Sequence, residues 1–271
     1  YKGKSNLLPP LVADTGADSR VAKLFCDSGL IPEQYEYLTF SDHNFIKTHI
    51  REDTMTVVSA NIFGYVHSSP NTVLSLEAAQ FINDSSVTEA QFKQTHPCLQ
   101  TRTSRRTGQI LINETEQVAQ RRYECILTAF QTEVKQNLQK QMYIFLLQEV
   151  DTLFFQVATD KLGSSNNWSL SDMNGDTAVF VYSTIEGMEA NDITNTITEV
   201  PILNEKRAGA GVTVVEVNNT RYFSIHLHST DMQTPEVMKK YANIIKTVLT
   251  PSTDVSLVFG GGDFNLRTSL L

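Results

Sequence analysis

The chain has 271 residues, room for one large domain or two small ones, and its 41% hydrophobic and 19% charged residues are ordinary for a folded globular protein. Thirteen glycines and eight prolines are too few for a collagen-like or linker-rich chain. A net charge of −8 argues against a non-catalytic nucleic-acid coat, which needs surplus Lys and Arg, but leaves room for an enzyme that meets phosphates with a few placed cations and a metal ion.

Residues 1–20, with Pro9-Pro10 and scattered polar groups, read as a loop. Segments Val21 to Leu30 and Tyr37 to Ile50 follow, the second a strand entered through Ser41-Asp42-His43. Arg51-Glu52-Asp53 is a polar turn, and the β-branched run Thr54 to Phe63 predicts a strand, so Phe45–Ile50 and Met55–Ile62 should form a hairpin. Leu74 to Asn83 and Glu89 to Thr95 are candidate short helices. Thr101 to Arg106, with three arginines, reads as a solvated or anion-binding loop. Glu114 to Gln141 lacks Gly and Pro and carries an apolar stripe through Val118, Tyr123, Ile126, Phe130 and Val134, which predicts a helix on a sheet. Beyond it, Tyr143–Leu147, Ala178–Tyr182, Gly211–Val217, Tyr222–His228 and Val255–Phe259 are short apolar strands. Pro235 to Leu249 is a helix with Pro at its start. No repeat or linker divides the chain, so 1–271 is expected to be a single α/β domain.

Cys26, Cys98 and Cys125 are odd in number and far apart, which predicts free thiols and a reducing, cytoplasmic setting. No apolar run approaches the ~18 residues of a membrane span.

The chemistry gathers just past strand ends: Asn61, Glu149, His226 with His228, and Asp263 with Asn265. Strand ends deliver side chains to one rim without loop wobble. The set is rich in oxygen and free of thiols, which favours Mg²⁺, or Mn²⁺, over structural zinc. His226 and His228 share a strand face, yet the sequence displays no third zinc ligand for them. Taken singly, Glu149 reads as a cap or surface carboxylate and Gly-Gly-Gly-Asp as a turn; taken together they read as a site.

Ser41-Asp42-His43, Asn61, Gln148-Glu149, His226-Leu227 and Gly262-Asp263-Phe264-Asn265 resemble the motifs of the endonuclease/exonuclease/phosphatase superfamily. Tyr1-Lys2, Phe25-Cys26-Asp27, Asn204-Glu205-Lys206 and the extension to Arg267 are similar to segments of its inositol polyphosphate 5-phosphatases. The motif order departs from that family. Tyr-Lys, Cys-Asp and Ser-Asp-His there follow Gly-Asp-Phe-Asn, and here they precede Asn61. The resemblance therefore implies a circular permutation, with residues 1–50 corresponding to the family's C-terminal part and the old ends joined through Arg51-Glu52-Asp53. Further departures are Ser28 after Asp27, Asn44-Phe45 after His43, His228-Ser229 after Leu227 and Arg207-Ala208 after Lys206.

The resemblance implies a two-sheet β-sandwich flanked by helices and a Mg²⁺-dependent phosphoric monoester hydrolase acting on phosphoinositides or inositol polyphosphates. A metal-dependent phosphodiesterase of the nuclease or sphingomyelinase kind, and an inactive binding relative, are the alternatives. Glu149 and Asn61 would serve the metal. Asp263 would activate water, with Asn265 holding it. His43, paired with Asp27, and His226 would donate to the phosphoryl group, and Asp42 would support the metal or its loop. Tyr1, Lys2, Arg20, Asn204, Lys206 and Arg267 would grip further phosphates. The partner implied is a phosphoinositide membrane surface, met peripherally, or a soluble inositol phosphate, ahead of nucleic acid.

Overall fold

The computed structural model describes residues 5–7, 46–51, 54–62, 64, 99–103, 110–114, 116–136, 141–188, 190–194, 211–227, 235–250 and 255–264. The larger sheet has six strands: β1 (Ser5–Leu7), β2 (Ile46–Arg51), β3 (Met55–Asn61), β6 (Met142–Gln148), β8 (Ala178–Ser183) and β7 (Trp168–Leu170), in that spatial order. The smaller sheet runs β12 (Leu257–Asp263), β11 (Thr220–His226), β10 (Gly211–Val217), β9 (Asn191–Asp192). A separate ribbon pairs β4 (Leu99–Thr103) with β5 (Ile110–Glu114). The described helices are α1 (Glu116–Gln136), α2 (Thr152–Leu162) and α3 (Pro235–Leu249). None of the described helices is long and apolar enough to cross a membrane.

Each sheet holds one parallel pair, β3 with β6 and β11 with β12. A parallel pair needs a crossover, and α1 and α3 lie in those two connections. The other pairings are antiparallel. Among them, β2 against β3 is the hairpin expected from the sequence. Between β10 and β11 the turn is Asn218-Asn219, with φ of 46° and 57°. Two successive positive φ angles define a type I′ turn, which asparagine tolerates and which suits the twist of a hairpin. This turn sets the register that places His226 opposite Gly211.

Strand alternation sorts the core into layers. Met142, Ile144 and Leu146 of β6 face the second sheet and pack with Met55, Val57, Val215, Val217 and Tyr222. Tyr143, Phe145 and Leu147 face the other way, under Tyr123, Ile126 and Phe130 of α1 and Phe154 and Ala158 of α2. Val212, Val214, Phe223 and Ile225 pack under Ile244 and Val248 of α3. The result is a helix–sheet–sheet–helix sandwich. Polar ties cross between the sheets: Gln148 Nε2 donates to Ser224 Oγ at 2.8 Å, Ser224 Oγ to the Leu147 carbonyl at 2.7 Å, and Thr177 meets Thr213 at 2.9 Å.

Several expectations need correction. Ser5–Leu7 and Thr101–Thr103 are strand, not loop, and Arg102 stands opposite Leu111 in the β4–β5 ribbon. Glu114 closes β5, so the long helix begins at Glu116. The three glycines lie within β12, which ends at Asp263. Helix α2 is not among the expected elements, although Asp151 caps its N-terminus and Phe154, Val157, Ala158 and Leu162 form its buried stripe. The candidate helices at 74–83 and 89–95 lie outside the described residues.

Candidate active site

Asn61 and Gln148 are register partners at the C-terminal ends of the parallel pair β3 and β6, and Glu149 follows directly. His226 and Asp263 are register partners at the ends of β11 and β12. Both pairs finish at the same rim, so the C-terminal ends of four strands from two sheets deliver the site. Open α/β sheets place ligands at this end. Glu149, His226 and Asp263 bring one ligand atom each to within 4.8 Å of one another. Asn61 Nδ2 donates to Glu149 Oε1 at 3.0 Å, and His226 Nε2 lies 3.8 Å from the same oxygen. Asn61, Glu149 and His226 are buried, and Asp263 is half-buried. Glu149 is thus neither a helix cap nor a surface carboxylate.

Two further features complete the site. The first is Asp176, whose Oδ2 lies 2.5 Å from His226 Nδ1. It sits in the turn Asn174-Gly175-Asp176 that precedes β8. Because β8 is antiparallel to β6, with Ala178 opposite Leu147, the start of β8 shares a rim with the end of β6. An acid just before an antiparallel neighbour was therefore the available signal. The second is the backbone of Glu149, with φ of 52°. A non-glycine residue in this left-handed region costs about 1–2 kcal/mol and persists only where its surroundings over-determine it.

Burial is the largest single influence on His226 and lowers its pKa. The hydrogen bond and charge of Asp176, joined by the charges of Glu149 and Asp263, outweigh it, so the net pKa is raised above the ordinary 6.5. A folded pKa above the unfolded one means the stabilisation is complete below pH 6.5 and is lost as pH rises through the folded value. In metal-free protein, the His226 ring protons followed by NMR should titrate with a midpoint above 6.5, and Asp176→Asn should lower that midpoint. A wild-type midpoint below 6.5 would contradict this account of the imidazole.

The donor set suits a divalent cation. Two carboxylates and one imidazole, with no thiolate, offer oxygen and nitrogen atoms of the kind divalent cations take. Tyr1, Lys2, Arg20, Asp27, Asp42, His43, Asn204, Lys206, His228, Asn265 and Arg267 lie outside the described residues. No protein-family model matches the chain, and no curated protein or solved structure shows significant similarity to it.

Proposed function

We propose that the chain is a divalent-metal-dependent phosphoric monoester hydrolase acting on phosphoinositides or inositol polyphosphates, with a permuted endonuclease/exonuclease/phosphatase-like fold. The observation that carries the hydrolytic reading is the meeting of Glu149, His226 and Asp263 at one rim, with Asn61 and Asp176 hydrogen-bonded to them. The substrate class rests on the resemblance of Tyr1-Lys2, Cys26-Asp27 and Gly262 to Arg267 to the 5-phosphatase segments.

Glu149 and Asp263 would hold Mg²⁺ or Mn²⁺, with Asn61 fixing the Glu149 carboxylate. Such an ion, when bound, neutralises phosphoryl oxygens and acidifies coordinated water. The chain's own groups do the rest. Asp263 orients a water and accepts its proton as the water oxygen attacks phosphorus. His226, held through Nδ1 by Asp176, presents a charged Nε2–H to a phosphoryl oxygen, where developing negative charge rewards a fixed donor. The phosphorus–oxygen ester bond breaks, the departing alkoxide takes a proton from solvent water to leave as the alcohol, and Asp263 gives the proton it accepted back to solvent. By the resemblance, His43 with Asp27 is a second cationic donor, Asn265 steadies the water, and Asp42 supports the metal or its loop.

The test sets phosphate release from a panel of inositol lipids and soluble inositol phosphates beside plasmid nicking, each with Mg²⁺ and with EDTA. Metal-dependent release from inositol phosphates is expected. Faster nicking would move the assignment to phosphodiesters, and full activity in EDTA would remove the metal role. Lys2→Ala tests the grip on neighbouring phosphates. One charge-assisted hydrogen bond is worth about 1.5–3 kcal/mol, so kcat/KM on a bis- or tris-phosphorylated inositol lipid should fall roughly 10- to 100-fold. Hydrolysis of a simple aryl phosphate monoester should hardly change, and an equal loss on both substrates would count against inositol phosphates.

A further inference from the structure

We propose that Arg122 and Tyr123, consecutive residues of α1, are positioning residues that hold Glu149 in its left-handed conformation; the consequence for metal binding rests on the metal reading above. The residues after β3 lie along those after β6. Ile62 N–H donates to the Gln148 carbonyl and Gly64 N–H to the Glu149 carbonyl, both at 2.8 Å. A side chain at Gly64 would collide with that Glu149 carbonyl, so only glycine allows this approach. Arg122 Nη1 donates to the Ile62 carbonyl at 2.8 Å and grips this segment from the helix side. Tyr123 Oη donates to Asp151 Oδ2 at 2.7 Å, and Asp151 Oδ1 accepts the Phe154 N–H that starts α2. Glu149 is therefore fastened on both sides, by Gly64 and by Ile62, which Arg122 grips, on one, and through Asp151 by Tyr123 on the other.

Arg122 is only 1% exposed, and its guanidinium lies 4.7 Å from the Tyr123 ring centroid. A buried guanidinium is costly, and apolar residues often replace buried charges without loss of stability. A helix that only needed to pack would be served by an apolar side chain here. Arg122 instead meets the carbonyl one residue after Asn61, and Tyr123 meets the side chain two residues after Glu149. Were Glu149 to relax to a negative φ, its carboxylate would turn away from the group it forms with His226 and Asp263. Partners that orient a metal ligand typically carry 10- to 100-fold in metal affinity.

The experiment uses the full chain and two readouts: Mn²⁺ binding by the paramagnetic resonance of free Mn²⁺, and hydrogen exchange at the Gly64 amide. Tyr123→Phe keeps the buried ring and removes one hydroxyl. It should weaken Mn²⁺ binding roughly tenfold, the lower end for an orienting partner. Gly64 exchange should speed up by about the same factor, because its acceptor is the Glu149 carbonyl. Arg122→Met should do the same, and Arg122→Lys, which keeps a donor, should fall between it and wild type. A lower Tm in Tyr123→Phe with unchanged Mn²⁺ affinity and unchanged Gly64 exchange overturns the proposal. If wild type binds no Mn²⁺, or Glu149→Gln binds it equally well, the metal reading fails. Gly64 exchange then decides the positioning role alone, and unaltered exchange in Tyr123→Phe overturns it.

Discussion

Glu149→Gln should lower turnover by about 10²–10³-fold, the scale of removing one electrostatic element from a preorganised site. It should strip the protein of Mn²⁺ binding while leaving Tm almost unchanged. The substitution is nearly isosteric, and the glutamine oxygen can still accept from Asn61 Nδ2 as Glu149 Oε1 does at 3.0 Å. The loss is the negative charge. That charge also acts on His226, whose pKa it helps to raise, so the imidazole should titrate lower in the variant. Turnover and metal binding by isothermal titration, with calorimetric Tm as the control, check this. Wild-type turnover in Glu149→Gln would exclude the residue from the chemistry.

The second large effect is expected at Gly262. A methyl group here would run into the Ile225 carbonyl oxygen, which is backbone and cannot rotate aside. β12 would have to draw away from β11. Overpacking of this kind costs about 1–3 kcal/mol, and the absence of side-chain relief puts Gly262→Ala at the upper end. At about 2–4 °C per kcal/mol, Tm should fall by about 6–12 °C. The next residue is Asp263, paired in register with His226, so a separation of the strands moves this proposed ligand away from Glu149. Mn²⁺ affinity should therefore fall more than in Gly261→Ala, where an added Cβ meets the Leu146 and Ser59 side chains at 3.1–3.4 Å. Equal behaviour of the two variants would show that the β11–β12 spacing does not govern the site.

The sheet strands were the legible part of the fold. Runs such as Tyr143–Leu147 and Gly211–Val217 are apolar on both faces because helices cover one side and a second sheet the other. That pattern separates strands cleanly from polar turns. The β4–β5 ribbon was not legible, because Arg102 and Thr103 present no apolar alternation and their pairing depends on a partner some ten residues away. The glycines of β12 mimic a turn, but two of them are where the neighbouring Phe223 ring and Ile225 carbonyl leave no room for a side chain. Within the site, Asn61, Glu149, His226 and Asp263 could be read because each follows an apolar run. Asp176 precedes one, and its role depends on β8 running against β6, which spacing along the chain does not reveal. The left-handed turn at Glu149 was hidden for a similar reason. The Glu149 carbonyl accepts from the Gly64 N–H, which lies far away in sequence.

Toward the proposed ion the two sheets would act as the jaws of a calliper. Glu149 belongs to one jaw and Asp263 to the other. Side chains such as Leu146 and Tyr222 and the tie from Gln148 to Ser224 set the gap between them. Metal–oxygen distances are about 2.0–2.1 Å for Mg²⁺ and about 2.3–2.6 Å for Ca²⁺. With an ion held between them, the thickness of the apolar interior would act as an ionic-radius filter. A substitution between the sheets, well away from any ligand, would change which cation is accepted before it changed how a phosphate is held.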